Sequence, residues 1–407
     1  MLKFLRSLSL IKFIIFMSKI KNISNYNISI FYFKNGKSIR SNLKPGEEVL
    51  CDSKKTPQMI FFENNGKISI TNNELTQPII DVIITHGAIY PTQTITKEQN
   101  LNNNLNVKKE YSMDNIIELV ENNFFDYKNI FENNVSVIYD EDTVFDISLI
   151  IPIRGRNDFA EPMYNSFISA SEKSGLKISY TMVEHSENPE HSKFCRNNKL
   201  NYIWIKSEPG ELFNKCLAQN MGAIFSTKSK YILFHDIDCL MQSDFFIRLL
   251  KNIENKKARA IQNFTGRRVL YISPYLTSKV VSGDFPIDEL SINLDDITPS
   301  NMVGAPGGSI TIERDLFFDI GGYDPELFLA NSPEDAFFWE KVDTIDKMHV
   351  SDSPDIELYH MYHLPTYNDN PHISEMLDVH NAFKSLTQDS KIEIINLKSE
   401  IIKKIKK

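Results

Sequence analysis

From about residue 145 onward the sequence predicts an α/β domain on a mainly parallel, doubly wound sheet, preceded by a smaller β-rich domain. Three observations carry that expectation. Residues 147–153 form an apolar run interrupted only by Ser148, the pattern of a strand buried on both faces of a parallel sheet. Behind it, strand-like and helix-like segments alternate as far as about residue 385, an order that joins parallel strands through crossover helices. Upstream, short β-branched and aromatic runs end at Asn35-Gly36 and Asn64-Asn65-Gly66, and Asn-Gly supplies the positive φ of a tight hairpin turn.

Taken in chain order, residues 1–25 read as an N-terminal extension or signal-like segment. The apolar stretch 8–17 is interrupted by Lys12 and falls well short of the roughly 20 apolar residues a spanning helix needs. Residues 26–90 read as the β-rich domain, with strands at 28–33 and 60–62 and a further turn at Lys44-Pro45-Gly46. It carries no recognisable chemistry and is expected to be structural or to form homo-oligomers. Residues 91–144 are a linker, polar around Asn100 and Asn102, and then a helical segment over 113–125.

The domain proper spans 145–385. Asp158 is the expected N-cap of a helix with Met163 and Phe167 on one face,. Further strands are expected at 178–183, 202–205 and 231–234, and Phe213, Leu217 and Met221 at helical spacing mark another buried helix face,. The tail 386–407 holds six lysines from Lys391 onward against Glu393 and Glu400, with Ile394, Leu397, Ile401 and Ile405 at helical spacing. Such a basic amphipathic helix either lies peripherally on an anionic membrane surface or packs back on its own domain.

Bulk properties exclude several classes. A chain of 407 residues exceeds one compact core, so two domains are expected,. A net charge of −8 argues against neutralising nucleic-acid phosphates, so no nucleic-acid partner is expected. The four cysteines, Cys51, Cys195, Cys216 and Cys239, form no CxxC pair. That excludes a cysteine-rich zinc site and fits a reducing, cytoplasmic compartment, with the basic tail as the route to a membrane surface.

In a doubly wound sheet the ligand site lies beyond the C-terminal ends of the strands, and the polar residues of this chain gather there. His235-Asp236-Ile237-Asp238-Cys239 directly follows the strand over 231–234. Carboxylates two apart at a strand end converge on one site if the chain turns, and hard oxygen ligands suit Mg²⁺ or Mn²⁺ beside a phosphate. Alone, such a DxD is a weak signal, since many surface turns contain one. It stands in company here. Upstream are Ile151-Pro152-Ile153-Arg154-Gly155-Arg156 and the helix from Phe213-Asn214 to Asn220-Met221-Gly222. Downstream are Gly304-Ala305-Pro306-Gly307-Gly308, Gly321-Gly322-Tyr323-Asp324, Glu334-Asp335 and His360-Met361-Tyr362-His363.

This ordered set resembles the β-1,4-galactosyltransferase family and the related catalytic domains of chondroitin-type polymerases and polypeptide N-acetylgalactosaminyltransferases, all of GT-A type. The resemblance spans about residues 149–363 and implies a GT-A glycosyltransferase domain. It implies that Pro152, Arg154 and Arg156 line the nucleotide pocket, the arginines offering forked donors to the diphosphate or base. By the same resemblance Asp236 approaches the ribose or sugar, Asp238 and His363 bind the metal, and His360 stands where galactosyltransferases have a methionine ligand. Gly307 and Gly308 let the backbone approach the donor sugar, Glu334 holds a hydroxyl, and Asp335 is the general base. Asn214 on its helix and Glu184 at the end of the second strand are weaker candidates for donor binding.

The expected reaction is therefore an inverting transfer of a hexose or N-acetylhexosamine from a UDP-sugar, with Mn²⁺ or Mg²⁺ as cofactor. The acceptor is a glycan, a glycolipid, a polysaccharide or a protein-linked sugar. Paired carboxylates also serve nucleotidyltransferases, but these leave Glu334-Asp335 and His363 without a role. A catalytically silent sugar- or nucleotide-binding module is the reading from another class, and release of UDP separates it from an enzyme. One departure bears on specificity: galactosyltransferases have a tryptophan- and glycine-rich loop before the acidic pair, whereas here Phe328-Leu329-Ala330-Asn331-Ser332-Pro333 contains neither.

Overall fold

The computed structural model describes the strands within residues 17–73, and residues 111–406 except 124, 135, 140–141, 266–267, 301–306, 331 and 364–369. The first sixteen residues, the turn at 44–46, the apolar run 60–62, the polar linker to residue 110 and Gly304-Ala305-Pro306 lie outside the described residues. The chain divides into two compact units, Met1–Ile89 and Tyr90–Lys407.

In the first unit, β1 (Met17–Asn22) is the centre of a three-stranded antiparallel sheet. Its neighbours are β4 (Glu48–Cys51) and β5 (Ile68–Asn73). Residues 17–22, read from sequence as part of an extension, are therefore a paired strand. A separate hairpin joins β2 (Ile28–Lys34) and β3 (Lys37–Leu43), with Lys34 opposite Lys37.

The second unit opens with α1 (Met113–Asn122), α2 (Tyr127–Glu132) and the short β6 (Ser136–Val137). Ser112 and Asn115 cap α1 reciprocally, satisfying amide donors that a helix start leaves open. The sheet comes next: β7 (Phe145–Ile153), α3 (Ala160–Ser174), β8 (Ile178–Ser186), α4 (Ser192–Asn197), β9 (Asn201–Lys206), α5 (Lys215–Phe225) and β10 (Ser229–His235). After it come β11 (Cys239–Leu240), α6 (Phe245–Lys256), β12 (Ala260–Gln262), β13 (Val269–Ile272), α7 (Pro274–Val281) and β14 (Ile297–Pro299). The remainder is β15 (Ser309–Glu313), α8 (Arg314–Asp319), α9 (Glu334–Asp346), β16 (Val350–Asp352), β17 (Leu358–His360), α10 (Ile373–Ser385) and α11 (Gln388–Lys406).

The main sheet has the order β16-β12-β15-β10-β7-β8-β9-β6. Its central strands β10, β7, β8 and β9 are mutually parallel, while β15 runs antiparallel beside β10. The expected α/β class with a mainly parallel core is thus what the chain forms. Strand β7 is buried on both faces: Leu149 and Ile151 pack with Met163 and Phe167 of α3, and Ile150 packs with Leu217 and Met221 of α5. Each such side chain contributes about 1.5–3 kcal/mol by leaving water. Gly222 makes that contact close, because a Cβ there would lie 2.5 Å from Ile150 Cγ2.

Two local expectations are corrected. Asp158 does not cap α3; it sits in a 3₁₀ turn over Asn157–Phe159, and α3 starts without a side-chain cap. Phe213 lies before α5, partly exposed beside His185, since the helix begins only at Lys215. In α11 the fully buried residues are Ile394, Ile395 and Ile402, with Leu397, Ile401 and Ile405 packed partly behind them. That helix packs on α1, α8 and α9. Its Lys398 is buried in a charge cluster with Glu326, Asp324 and Lys341. Among the described residues no helix is long and apolar enough to cross a membrane.

Candidate active site

Topology brings the polar motifs to one edge of the sheet. Because β7 and β10 are parallel and adjacent, the loops leaving their C-terminal ends start side by side. The first loop places Gly155 and Arg156 consecutively in the left-handed region, at φ 63° and 55°. A non-glycine residue seldom adopts that conformation, and such outliers gather at functional sites. The second loop is the turn Asp236-Ile237-Asp238. The antiparallel β15 begins where β10 ends, with Ser309 opposite His235. Gly308, at φ 94°, directs its carbonyl to accept from the Asp236 amide at 2.9 Å.

His235 fastens this turn. Its ring nitrogens lie 2.8 Å from Ser309 Oγ and 2.9 Å from the Cys239 carbonyl. Burial pushes its pKa down to about 4, so the ring is neutral and serves as a brace.

Two clusters form around the turn. In the first, Asp238 meets Arg156 through a charge-assisted hydrogen bond. His363 Nε2 lies 3.2 Å from Asp238 Oδ2, and His360 Nε2 lies 3.7 Å from Oδ1. Strand pairing explains the proximity, since β17 sets His360 opposite Cys239, and Met361 donates to the Asp238 carbonyl at 2.7 Å. Burial alone would raise the Asp238 pKa, but Arg156 and then the two histidines outweigh it and hold the carboxyl well below its ordinary value. Asp238, His360 and His363 each offer one ligand atom, all within 4.8 Å of one another. One carboxylate oxygen and two imidazole nitrogens suit a first-row transition-metal cation, Mn²⁺ included, better than Mg²⁺,. Burial also lowers the His360 pKa, favouring the neutral, ligating form. Its buried Nδ1 has no hydrogen-bond partner, so one atom of the ring is unsatisfied.

The second cluster surrounds Lys215, the first residue of α5. Its ammonium lies 3.2 Å from Asp236 Oδ1, 3.3 Å from Asp335 Oδ2 and 3.5 Å from Glu334 Oε1. Glu334 and Asp335 open α9, where the helix dipole favours negative charge,. Ser332 donates to Glu334 Oε2 at 2.9 Å, and the Tyr323 hydroxyl donates to Asp335 Oδ1 at 3.4 Å. Burial, then repulsion from Asp335, raises the Glu334 pKa to about 7, with Lys215 opposing. Gly307 lies against this pair: a Cβ there would stand 1.9 Å from Asp335 Oδ2. The glycine is thus required by the acidic pair itself, a role the sequence assigned to the sugar.

Other expected site residues lie apart. Pro152 is buried within β7, opposite Val183 of β8. Arg154 donates to the Glu211 carbonyl at 2.5 Å. Glu184, a donor-binding candidate, is instead fully buried and accepts from Tyr202, Ser186 and the amides of Glu190 and His191. Asn214 likewise turns inward: it caps α5 at the Leu217 amide and donates to the Pro325 carbonyl. Sequence reasoning missed Lys215, Tyr323 and His235. Each is contiguous with a recognised motif, yet only tertiary contact reveals its role.

Residues 182–368 match the family described as glycosyltransferase like family 2. This segment is a glycosyltransferase domain. Its mixed sheet has the GT-A-type α/β architecture. Several solved structures are similar at low identity. The catalytic domain of Drosophila β1,4-galactosyltransferase 7 with xylobiose is 14% identical, covering 61% of this chain and 79% of that one, with a TM-score of 0.35. S. aureus TarS 1–349 is 14% identical over 61% and 69%, with a TM-score of 0.40. Mannosyl-3-phosphoglycerate synthase from Rubrobacter xylanophilus is 15% identical over 59% and 74%, also at 0.40. No curated protein sequence gives a match. Between the two clusters, the glycosyltransferase domain presents ionic groups of both signs at one sheet edge, with a single turn carrying Asp236 to one cluster and Asp238 to the other.

Proposed function

We propose that this glycosyltransferase moves a hexosyl or N-acetylhexosaminyl group from a UDP-sugar to a hydroxyl of a glycan, glycolipid, polysaccharide or protein-linked acceptor, with inversion and with a divalent metal. The observation that carries the reading is the Asp236–Asp238 turn, which joins a ligand set suited to a cation to an acidic pair suited to a base. The ordered motifs, similar to those of UDP-sugar-using families, support the donor.

Asp238, His360 and His363 would hold the metal, and when bound it offsets the charge of the leaving diphosphate. Arg156 stands beside that set and offers guanidinium donors to phosphate oxygens,. On the other side, Asp335 Oδ2 takes the proton of the acceptor hydroxyl as its oxygen attacks the anomeric carbon from the face opposite the diphosphate. Such general-base help is worth about 10²–10⁴ in rate. Glu334 and Asp236 hold hydroxyls of the sugars.

The test is UDP release from a panel of UDP-sugars, with Mn²⁺ and with EDTA, in wild type and Asp238→Ala. Metal-dependent release from one donor, absent in the variant, is expected. If candidate acceptors are supplied and no donor yields UDP, while Mn²⁺-dependent UDP binding is also absent, the transfer reading fails and a silent module replaces it.

A further inference from the structure

Among the described residues, Lys215 is the one that touches carboxylates from both sides of the site. It stands at the first position of α5, anchored by the Asn214 cap behind it and by the close packing of α5 on β7. Its side chain is 15% exposed, and its ammonium contacts Asp236 from the loop after β10 and Glu334 and Asp335 from α9. These partners lie 21 and about 120 residues away in the chain. Two buried carboxylates and a partly buried third repel one another, and the largely covered ammonium among them offsets that repulsion,.

We propose that Lys215 is a positioning residue for the transfer: its ammonium ties Asp236 to the Glu334–Asp335 pair and sets where the base carboxylate stands and when it can accept a proton. This rests on the glycosyltransferase reading with Asp335 as base. The groups facing the pair are Lys215 and Cys216 from α5, Asp236, and Tyr323 from the loop after α8. Glu334 is already raised to about 7 by burial and by Asp335, with Lys215 limiting the rise. Lys215 opposes that rise, so loss of the ammonium moves Glu334 further upward and changes the charge beside the base,.

The experiment compares wild type, Lys215→Met and Lys215→Arg in two readouts: the pH profile of kcat/KM with Mn²⁺ and the donor found by UDP release, and the pH dependence of unfolding in urea. In Lys215→Met the acid limb of kcat/KM is expected to move up by at least one pH unit, with kcat down at least tenfold. Lys215→Arg should return the limb to within a few tenths of a unit of wild type. The range in which stability falls with rising pH should shift upward in parallel. If Lys215→Met does not fold, Lys215→Gln replaces it. A variant whose activity drops equally at every pH, with an unshifted stability profile, would overturn the proposal and leave Lys215 a structural residue. The stability readout needs no turnover, so a wild type that releases no UDP would count against the transferase reading while the electrostatic part is still decided.

Discussion

The two clusters of the candidate active site solve the same electrostatic problem with different cations. Around Asp238 the cation is Arg156, 30% exposed, on a loop whose backbone is held at positive φ. Around Glu334 and Asp335 it is Lys215, 15% exposed, at the head of a helix packed on the central strand. A partly exposed guanidinium on a loop at positive φ is freer to be exchanged for another cation than an ammonium held at the head of a capped helix. On the proposed reading, the first cluster would take a charge that arrives with the donor, and the second holds a charge that belongs to the protein.

The largest effect should come from the fixed side. Asp335→Asn removes the proton acceptor and keeps the shape beside Gly307 and Tyr323. Turnover is expected to fall about 10²–10⁴-fold, with Mn²⁺-dependent UDP binding, read by calorimetry, unchanged. Near-normal turnover would move the base elsewhere, Glu334 being the next group in reach.

On the exchangeable side, Asp238→Ala takes away the carboxylate that His360 and His363 face. Loss of a supporting group around a ligand already costs about 10–100-fold in metal affinity, so loss of the carboxylate should exceed about 100-fold. The check is Mn²⁺ titration by electron paramagnetic resonance with UDP present, and binding within tenfold of wild type would place the metal on other residues.

The contrast also shows where sequence sufficed. The strand ends were legible because an apolar run buried on both faces has little choice of structure, and the polar residues just beyond it are carried to one edge by parallel pairing. Residues pointing away from that edge were not. Glu184 and Asn214 have the chemistry of ligands, yet their oxygens are taken by protein donors, and side-chain direction near a helix or strand end depends on one or two residues of boundary. Asn220 and Gly222, part of a recognised motif, prove to be packing devices: the amide bridges Tyr127 and Tyr323, and the glycine admits Ile150. Lys215 was invisible because its partners are distant in the chain.

The acidic pair should leave a mark on stability as well. Glu334 has a folded pKa of about 7 against an ordinary 4.5. The folded state therefore binds the proton more tightly, and its contribution is fully present below about pH 4.5 and lost as pH rises through about 7. The size is on the order of 1–3 kcal/mol, given 1.36 kcal/mol per unit and the close coupling to Asp335. Urea unfolding from pH 4.5 to 8 should show wild type losing stability relative to Glu334→Gln over that window. Parallel curves would mean that Glu334 titrates normally in the fold.

Arg156→Gln gives the smallest effect and the sharpest comparison. Removing a cation from a carboxylate normally weakens a site, but here the cation stands against the atom a metal would use, Asp238 Oδ2. Without UDP, Mn²⁺ binding to Arg156→Gln is therefore expected to be as tight as in wild type or several-fold tighter, because no guanidinium has to leave first. UDP binding with Mn²⁺ should weaken by about tenfold, the order of one charge-assisted hydrogen bond to phosphate. Opposite signs for metal and nucleotide would mark Arg156 as the cation that trades places. If both affinities fall together, Arg156 instead holds the loop in shape, and the two clusters are fixed in the same way.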